Sequence, residues 1–214
     1  MYEPVNLPRL ERVTRDGVRY YLTPEGKQYP SVTTVLSILS NESIQAWKDS
    51  IGEEEAARVS ARAANRGTRI HSLCENFILG NDLDVHILDR EMWNSLKPLV
   101  SKIGKVLALE APLYSDYLKV AGTVDCVGYW NGKRSIIDFK TSGRLKTKDE
   151  IHSYYIQEAA YAVCFEERTG IPVTQLVTIM AVDDESPLVF VEHRDKWIGE
   201  FMKVRKEYSE RFGV

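Results

Sequence analysis

Gly122-Thr123-Val124-Asp125-Cys126-Val127-Gly128-Tyr129-Trp130-Asn131-Gly132-Lys133-Arg134-Ser135-Ile136-Ile137-Asp138-Phe139-Lys140-Thr141-Ser142 is the stretch on which the reading of this chain turns. Asn131-Gly132 is a strong two-residue hairpin signal, because both central positions of a type I′ turn need positive φ. The flanking runs are rich in β-branched and aromatic residues and read as strands. With a tight turn and no bulge, Trp130 faces Lys133. Counting inward then sets Asp125 opposite Asp138 and Thr123 opposite Lys140. Strict alternation places Asp125, Asp138 and Lys140 on one face. Val124 against Phe139 and Cys126 against Ile137 make a core-like pairing on the other. Two carboxylates in direct opposition repel each other. Lys140 offsets part of that repulsion, and a divalent cation would offset more. Hard oxygen ligands suit Mg²⁺ or Mn²⁺, which would polarise a phosphate oxygen and acidify a water. Left to themselves, the same residues are also compatible with a solvated charged sheet face.

Residues 120–130 and 134–140 are the two strands of the hairpin, and outward from it residues 106–116 read as a third. A helix is expected from about Lys148 to Arg168, closed by Gly170 with Pro172 beyond. Residues 173–182 and 187–192 read as two more strands. A last amphipathic helix, Asp195 to Arg211, carries Trp197, Ile198, Phe201, Val204, Tyr208 and Phe212 on its apolar side. Upstream, a helix is expected from about Glu53 to Leu79, ending at Gly80, and another from Leu88 to Leu99. Residues 18–30 read as a short hairpin around Pro24-Glu25-Gly26. Ser31 then caps a helix start. The order implies a mixed α/β core with helical decoration at the N-terminal end. We expect one domain over 1–214: an extension to residue 50, a core over 51–192, and a C-terminal helix over 193–214.

Composition narrows the class. The chain has 214 residues, 43% apolar and 28% charged, with a net charge of −3. That is the balance of a globular protein, and a poor one for coating nucleic acid non-specifically. The segment Met1 to Leu10 reads as neither a signal peptide nor an Arg-rich transit peptide, and no apolar run would span a bilayer. Cys74, Cys126 and Cys164 are scattered and odd in number, which argues against a disulfide framework or an iron–sulfur cluster. We therefore expect a reducing, cytoplasmic setting and no membrane partner.

Gly122 to Asp125 followed by Ile136 to Ser142 resembles the RecB-like branch of the PD-(D/E)xK nucleases. Arg66-Gly67-Thr68-Arg69-Ile70-His71 resembles that branch's Gly-x-x-x-His motif, and Gln157-Glu158-Ala159-Ala160-Tyr161 its Gln-x-x-x-Tyr motif. Tyr29 to Leu36, with Trp47, is similar to phage exonucleases and the mitochondrial genome maintenance exonucleases. Each motif alone is weak, but together they stand in the right order across residues 18–170.

The resemblance implies a restriction-endonuclease-like mixed sheet flanked by helices, and a DNA exonuclease. His71, Asp125 and Asp138, with the Phe139 carbonyl, would hold Mg²⁺ or Mn²⁺, and Lys140 would be the catalytic lysine. Gln157 and Tyr161 would hold the strands or the DNA. Relatives with four cluster cysteines are not matched, so no iron–sulfur cluster is expected.

Other residues are weighed by position. Glu75, one turn from His71, is placed either to orient the imidazole or to stand as an ordinary surface acid. Arg58, Arg62, Arg66 and Arg69 form a stripe about 140° to 180° around the helix from His71, facing away from the site. Arg144, Lys146 and Lys148, with Thr141 and Ser142, are better placed to meet phosphates. Ser31, Thr33 and Thr34 are so too, if they open a helix. Glu110 lies within reach of the site but is not counted among the ligands. Trp47, Trp93 and Tyr114 can stack on bases in principle, and none is singled out. The expected activity is hydrolysis from single-stranded DNA ends by a monomer, in phage DNA replication, recombination or degradation. An endonuclease of the same superfamily and a non-catalytic DNA-end-binding module are the alternatives.

Overall fold

Asn131 and Gly132 both adopt positive φ, +50° and +76°, the backbone that a type I′ hairpin demands. This is seen in a computed structural model that describes residues 2–15 and 17–213. Met1, Asp16 and Val214, inside the expected 1–214 span, lie outside the described residues. The turn joins β5 (Val120–Trp130) to β6 (Lys133–Ser142). Their antiparallel register runs from Trp130 opposite Lys133 to Cys126 opposite Ile137, as counted from the turn.

Five strands form the main sheet in the order β4-β5-β6-β7-β8. Here β4 is Val106–Ser115, β7 Gln175–Val182 and β8 Leu188–His193. Only β6 and β7 run parallel, which makes the sheet mixed. The crossover between those two is the helix α5 (His152–Thr169), as a parallel pair requires. Helix α3 (Glu53–Leu79) ends where Gly80 turns left-handed at φ +75°, and α4 (Arg90–Val100) follows.

The sheet has a core on each face. On one side α5, α1 (Val32–Leu36) and α6 (Arg194–Phe212) bury Ile136, Leu176, Met180, Tyr155, Phe165 and Phe201. On the other, α3 and α4 bury Ile70, Cys74, Trp93 and Leu96 against Cys126, Ile137, Phe139 and Ile179. Strands covered on both faces read as near-continuous apolar runs, which Ile136-Ile137 and Leu176 to Val182 are.

The pairing expected beyond Cys126 is not what forms. Val124 joins the α5-side core while Cys126 joins the α3-side core. Strict alternation would put both on one face, so β5 turns at Asp125. Opposite it on β4, between the pairs Leu109–Cys126 and Ala111–Val124, Glu110 takes a φ of +44°. A local irregularity of this kind re-aims side chains.

The N-terminal extension has more structure than expected. A polar strand β1 (Glu11–Arg15) completes a three-stranded sheet with β2 (Val18–Leu22) and β3 (Gln28–Pro30). It docks on the start of β5, with Tyr21 packed on Ala121 and Tyr114 and Ser31 bridged to Ala121. Ahead of it, the amides of Glu3 and Val5 bond to the carbonyls of Val106 and Leu107 at 2.9 Å each, lining the outer edge of β4. A helix that sequence reading did not foresee, α2 (Asn41–Ile51), buries none of its residues. At the far end Phe212, expected on the apolar side of α6, is exposed, whereas Trp197, Phe201, Val204 and Tyr208 are buried. No helix among the described residues is long and apolar enough to cross a membrane.

Candidate active site

The site lies where β5 and β6 part. Past Cys126, Asp125 accepts a hydrogen bond on Oδ2 from the Phe139 amide at 2.9 Å. A side chain thus takes a backbone donor of the neighbouring strand. On the α3 side, His71 Nδ1 stands 3.4 Å from Asp125 Oδ2 and 3.8 Å from Glu110 Oε1. One ligand atom from each of His71, Glu110 and Asp125 lies within 4.8 Å of the others. The imidazole meets the Phe139 ring edge-on, 6.2 Å between centroids, which fixes its plane. Burial works against charging His71, but the carboxylates of Glu110, Asp125 and Asp138 outweigh it and push the imidazole up to about 9.

On the α5 side, Asp138 sits beside Thr178 of β7 in the parallel register and is 3% exposed. Lys140 ion-pairs with its Oδ2, and Gln157 Nε2 donates to its Oδ1 at 3.3 Å. Burial raises Asp138 to about 6, with the Lys140 charge opposing and the Asp125 charge adding. Lys140 lies 5.0 Å over the ring of Tyr154. Burial lowers its affinity for a proton, but Asp138 and Asp125 more than restore it, so the amine stays charged.

Of the ligands expected from sequence, His71 and Asp125 come together with Glu110, whereas Asp138 is turned to Lys140 and Gln157. Phe139 enters through its amide and ring. Glu75 lines the same 310 Å³ cleft as His71 and Glu110, where burial and then the Glu110 charge raise it. The nearest partners of His71 Nδ1 are nevertheless Glu110 and Asp125.

Sequence reading also passed over Glu158, which is fully buried within its own Gln-x-x-x-Tyr segment. It accepts a hydrogen bond from the Thr178 hydroxyl on Oε1, and its Oε2 has no hydrogen-bond partner among the described residues. Its signal was an acid standing among Ile156, Ala159 and Ala160 on a buried helix.

The remaining candidates divide. Tyr161 is buried, and its ring lies so close over β5 that a Cβ on Gly122 would come within 2.7 Å of its hydroxyl. Glycine at 122 is therefore a packing requirement. Gly67 passes Thr141, but a Cβ there would sit at an ordinary 3.7 Å, so close approach does not account for it. Ser31 is buried as the cap of α1, accepting from the Thr34 amide at 2.9 Å, while Thr33 is exposed. Ser142 donates to the Arg144 carbonyl at 2.6 Å.

The basic segment is occupied: Arg144 pairs with Glu150, Lys146 lies 4.0 Å from it, and Lys148 pairs with Glu192. In the arginine stripe, Arg66 and Arg69 tie α3 to Asp183 and Asp89, and Arg58 pairs with Glu55. Trp93 is core, Tyr114 lies under the Arg168 guanidinium at 4.1 Å, and Trp47 is half-buried on α2.

One imidazole and two carboxylates within reach of one point make a donor set suited to a hard divalent cation. The carboxylates that raise His71 gather more negative than positive charge around it. Chemically the site pairs such a cation position with a half-buried, charged lysine held on a separate carboxylate.

No protein-family model matches the chain. It is 26% identical over 175 residues to mitochondrial genome maintenance exonuclease 1 of Homo sapiens, covering 74% of this chain and 50% of that protein. With the Xenopus tropicalis protein of the same name it shares 25% over 209 residues, covering 85% and 59%. The chain thus spans 50% to 59% of the length of these relatives. A solved chain from Eubacterium rectale overlays with a TM-score of 0.46 at 13% identity over 68% of this chain and 65% of that one, a likeness too weak to carry any inference.

Proposed function

We propose that this chain is a divalent-cation-dependent nuclease of the PD-(D/E)xK kind, hydrolysing phosphodiester bonds at the ends of single-stranded DNA. The observation that carries the reading is the fork at Asp125. There the His71–Glu110–Asp125 cluster and the Asp138–Lys140 pair are joined through the Phe139 amide. His71, Glu110 and Asp125 would hold the cation, with Asp138 at its flank. Bound there, Mg²⁺ or Mn²⁺ supplies charge neutralisation for phosphate oxygens and acidifies a water. Lys140, charged and steered by Asp138 and Tyr154, places an ammonium where negative charge grows on the phosphoryl group. Gln157 fixes the other oxygen of Asp138. The similarity to proteins named genome maintenance exonucleases supports end-directed cleavage, and the role assigned to the chain in this reading is in phage DNA replication, recombination or degradation.

The experiment uses 5′- and 3′-labelled single- and double-stranded DNA with Mg²⁺, Mn²⁺ or chelator, alongside closed circular single strands. The expected result is cation-dependent shortening of linear single strands with the circle left intact. Lys140→Ala and Asp125→Ala should each lower the rate by about 10²-fold or more, the usual loss for a group that stabilises transition-state charge. Cutting of the circle would establish the endonuclease instead. Undiminished cleavage by Lys140→Ala would remove the mechanism.

A further inference from the structure

A cleft of about 490 Å³ opens between α1 with the turn after it and the first two turns of α5, within the usual range of roughly 300–1,000 Å³ for ligand pockets. It is continuous with the active site through two shared side chains. Gln157 lines it and holds Asp138, and Tyr154 lines it and carries Lys140 on its ring. The rest of the lining has an unusual character for a nucleic-acid protein. No lysine or arginine contributes to it. Its carboxylate and its imidazole are engaged elsewhere: Glu150 with Arg144 and the Thr147 amide, and His152 with Glu200 at 2.6 Å. Ser37 and Ser40 donate their protons to backbone carbonyls, which leaves acceptor oxygens beside Leu36 and the exposed Leu39. A wall of this kind is a poor cradle for phosphate, which selects cations and free N–H groups. It suits a flat, largely apolar heterocycle with polar edges.

Building on the nuclease reading above, we propose that this cleft receives the unpaired base of the nucleotide adjoining the scissile phosphate. Its occupant is then a base of single-stranded DNA, and the cleft enforces single-strand selection. A base held in a duplex stack cannot enter it without leaving its partner, which costs a few kcal/mol. The phosphate of the same nucleotide would fall toward Lys140.

The test compares oligonucleotides carrying a tetrahydrofuran abasic residue at each of the terminal positions in turn, cut by the full chain and by Leu39→Asp. Leu39 is 46% exposed, so the substitution leaves the fold in place, which the thermal midpoint verifies. For the natural chain, one abasic position should lower kcat/KM about tenfold or more, the scale of losing one base contact. In Leu39→Asp that difference between base and abasic residue should shrink toward unity. Equal cutting of every abasic substrate by the natural chain overturns the proposal, and so does a difference kept whole in Leu39→Asp. Absence of all cleavage with Mg²⁺ and Mn²⁺ instead removes the nuclease reading on which it rests.

Discussion

His71 holds a proton that a cation would have to displace. Its pKa of about 9 reflects three carboxylates overcoming burial. At pH 7.5 the free protein therefore carries an imidazolium there, and a metal ligand must be neutral imidazole. Titration with Mn²⁺ at pH 7.5 in buffers of different ionisation enthalpy should show release of close to one proton, and His71→Gln should abolish that release. Because the folded pKa lies above the ordinary value, the charged pair stabilises the cation-free fold below about pH 6.5. That contribution fades as the pH climbs through about 9. A cation-free protein whose stability is flat between pH 7 and 10 would contradict the assignment. At this scale one turn and a count of two brought Asp125, Asp138 and Lys140 into view as neighbours but gave them one shared face, whereas Asp125 turns to His71 and Asp138 and Lys140 face α5. Glu110 was in view but could not be promoted, since its placement depends on a backbone φ of +44° that no residue type announces. Glu158 lay inside a recognised motif and was hidden because its buried oxygen is a matter of packing.

Elements explain what counting could not. The hairpin register held for as long as both strands kept their pleat, and failed at Asp125, where β5 turns to serve two cores. Gly122 shows the opposite case, a motif glycine whose reason is three-dimensional. A Cβ would meet Tyr161 at 2.7 Å on Oη and 2.8 Å on Cε1. Gly122→Ala should cost about 1–3 kcal/mol in urea unfolding, as overpacking does. In the Tyr161→Leu background the same change should cost much less, which is the coupling expected of side chains in contact. Additive losses would mean that the ring is not what requires glycine. The strand β1 and the helix α2 were missed for different reasons. β1 is polar and exposed around Val13 and writes no apolar period, whereas α2 spaces Ile44, Trp47 and Ile51 as a helix would but buries none of its residues, so its short apolar stripe stands among polar neighbours with no core to face. The long helix α3 was found because its second half carries a stripe that does face a core, through Ile70, Leu73 and Cys74.

For the whole molecule, the sheet is the common wall of two cores, so neither can melt while the other keeps its strands. Trp93 and Trp130 report the α3 side and Trp197 the α5 side. Fluorescence of Trp47→Phe/Trp197→Phe and of Trp47→Phe/Trp93→Phe/Trp130→Phe, followed in urea beside far-UV circular dichroism, should give coincident transitions. Midpoints that separate would show two units. The mixed α/β class with its flanking helices was readable from the order of periods, whereas the docking of the small sheet onto β5 was not, since it rests on Tyr21, Tyr114 and Ala121 meeting across distant segments. The backbone bonds of Glu3 and Val5 to Val106 and Leu107 have a bearing on how the protein behaves in company. They occupy carbonyls on the border strand β4 that would otherwise be open to a stray extended chain. Loss of those few residues would turn a sealed margin into a template. Its cost would show less in catalysis than in colloidal behaviour, as light scattering that grows with protein concentration.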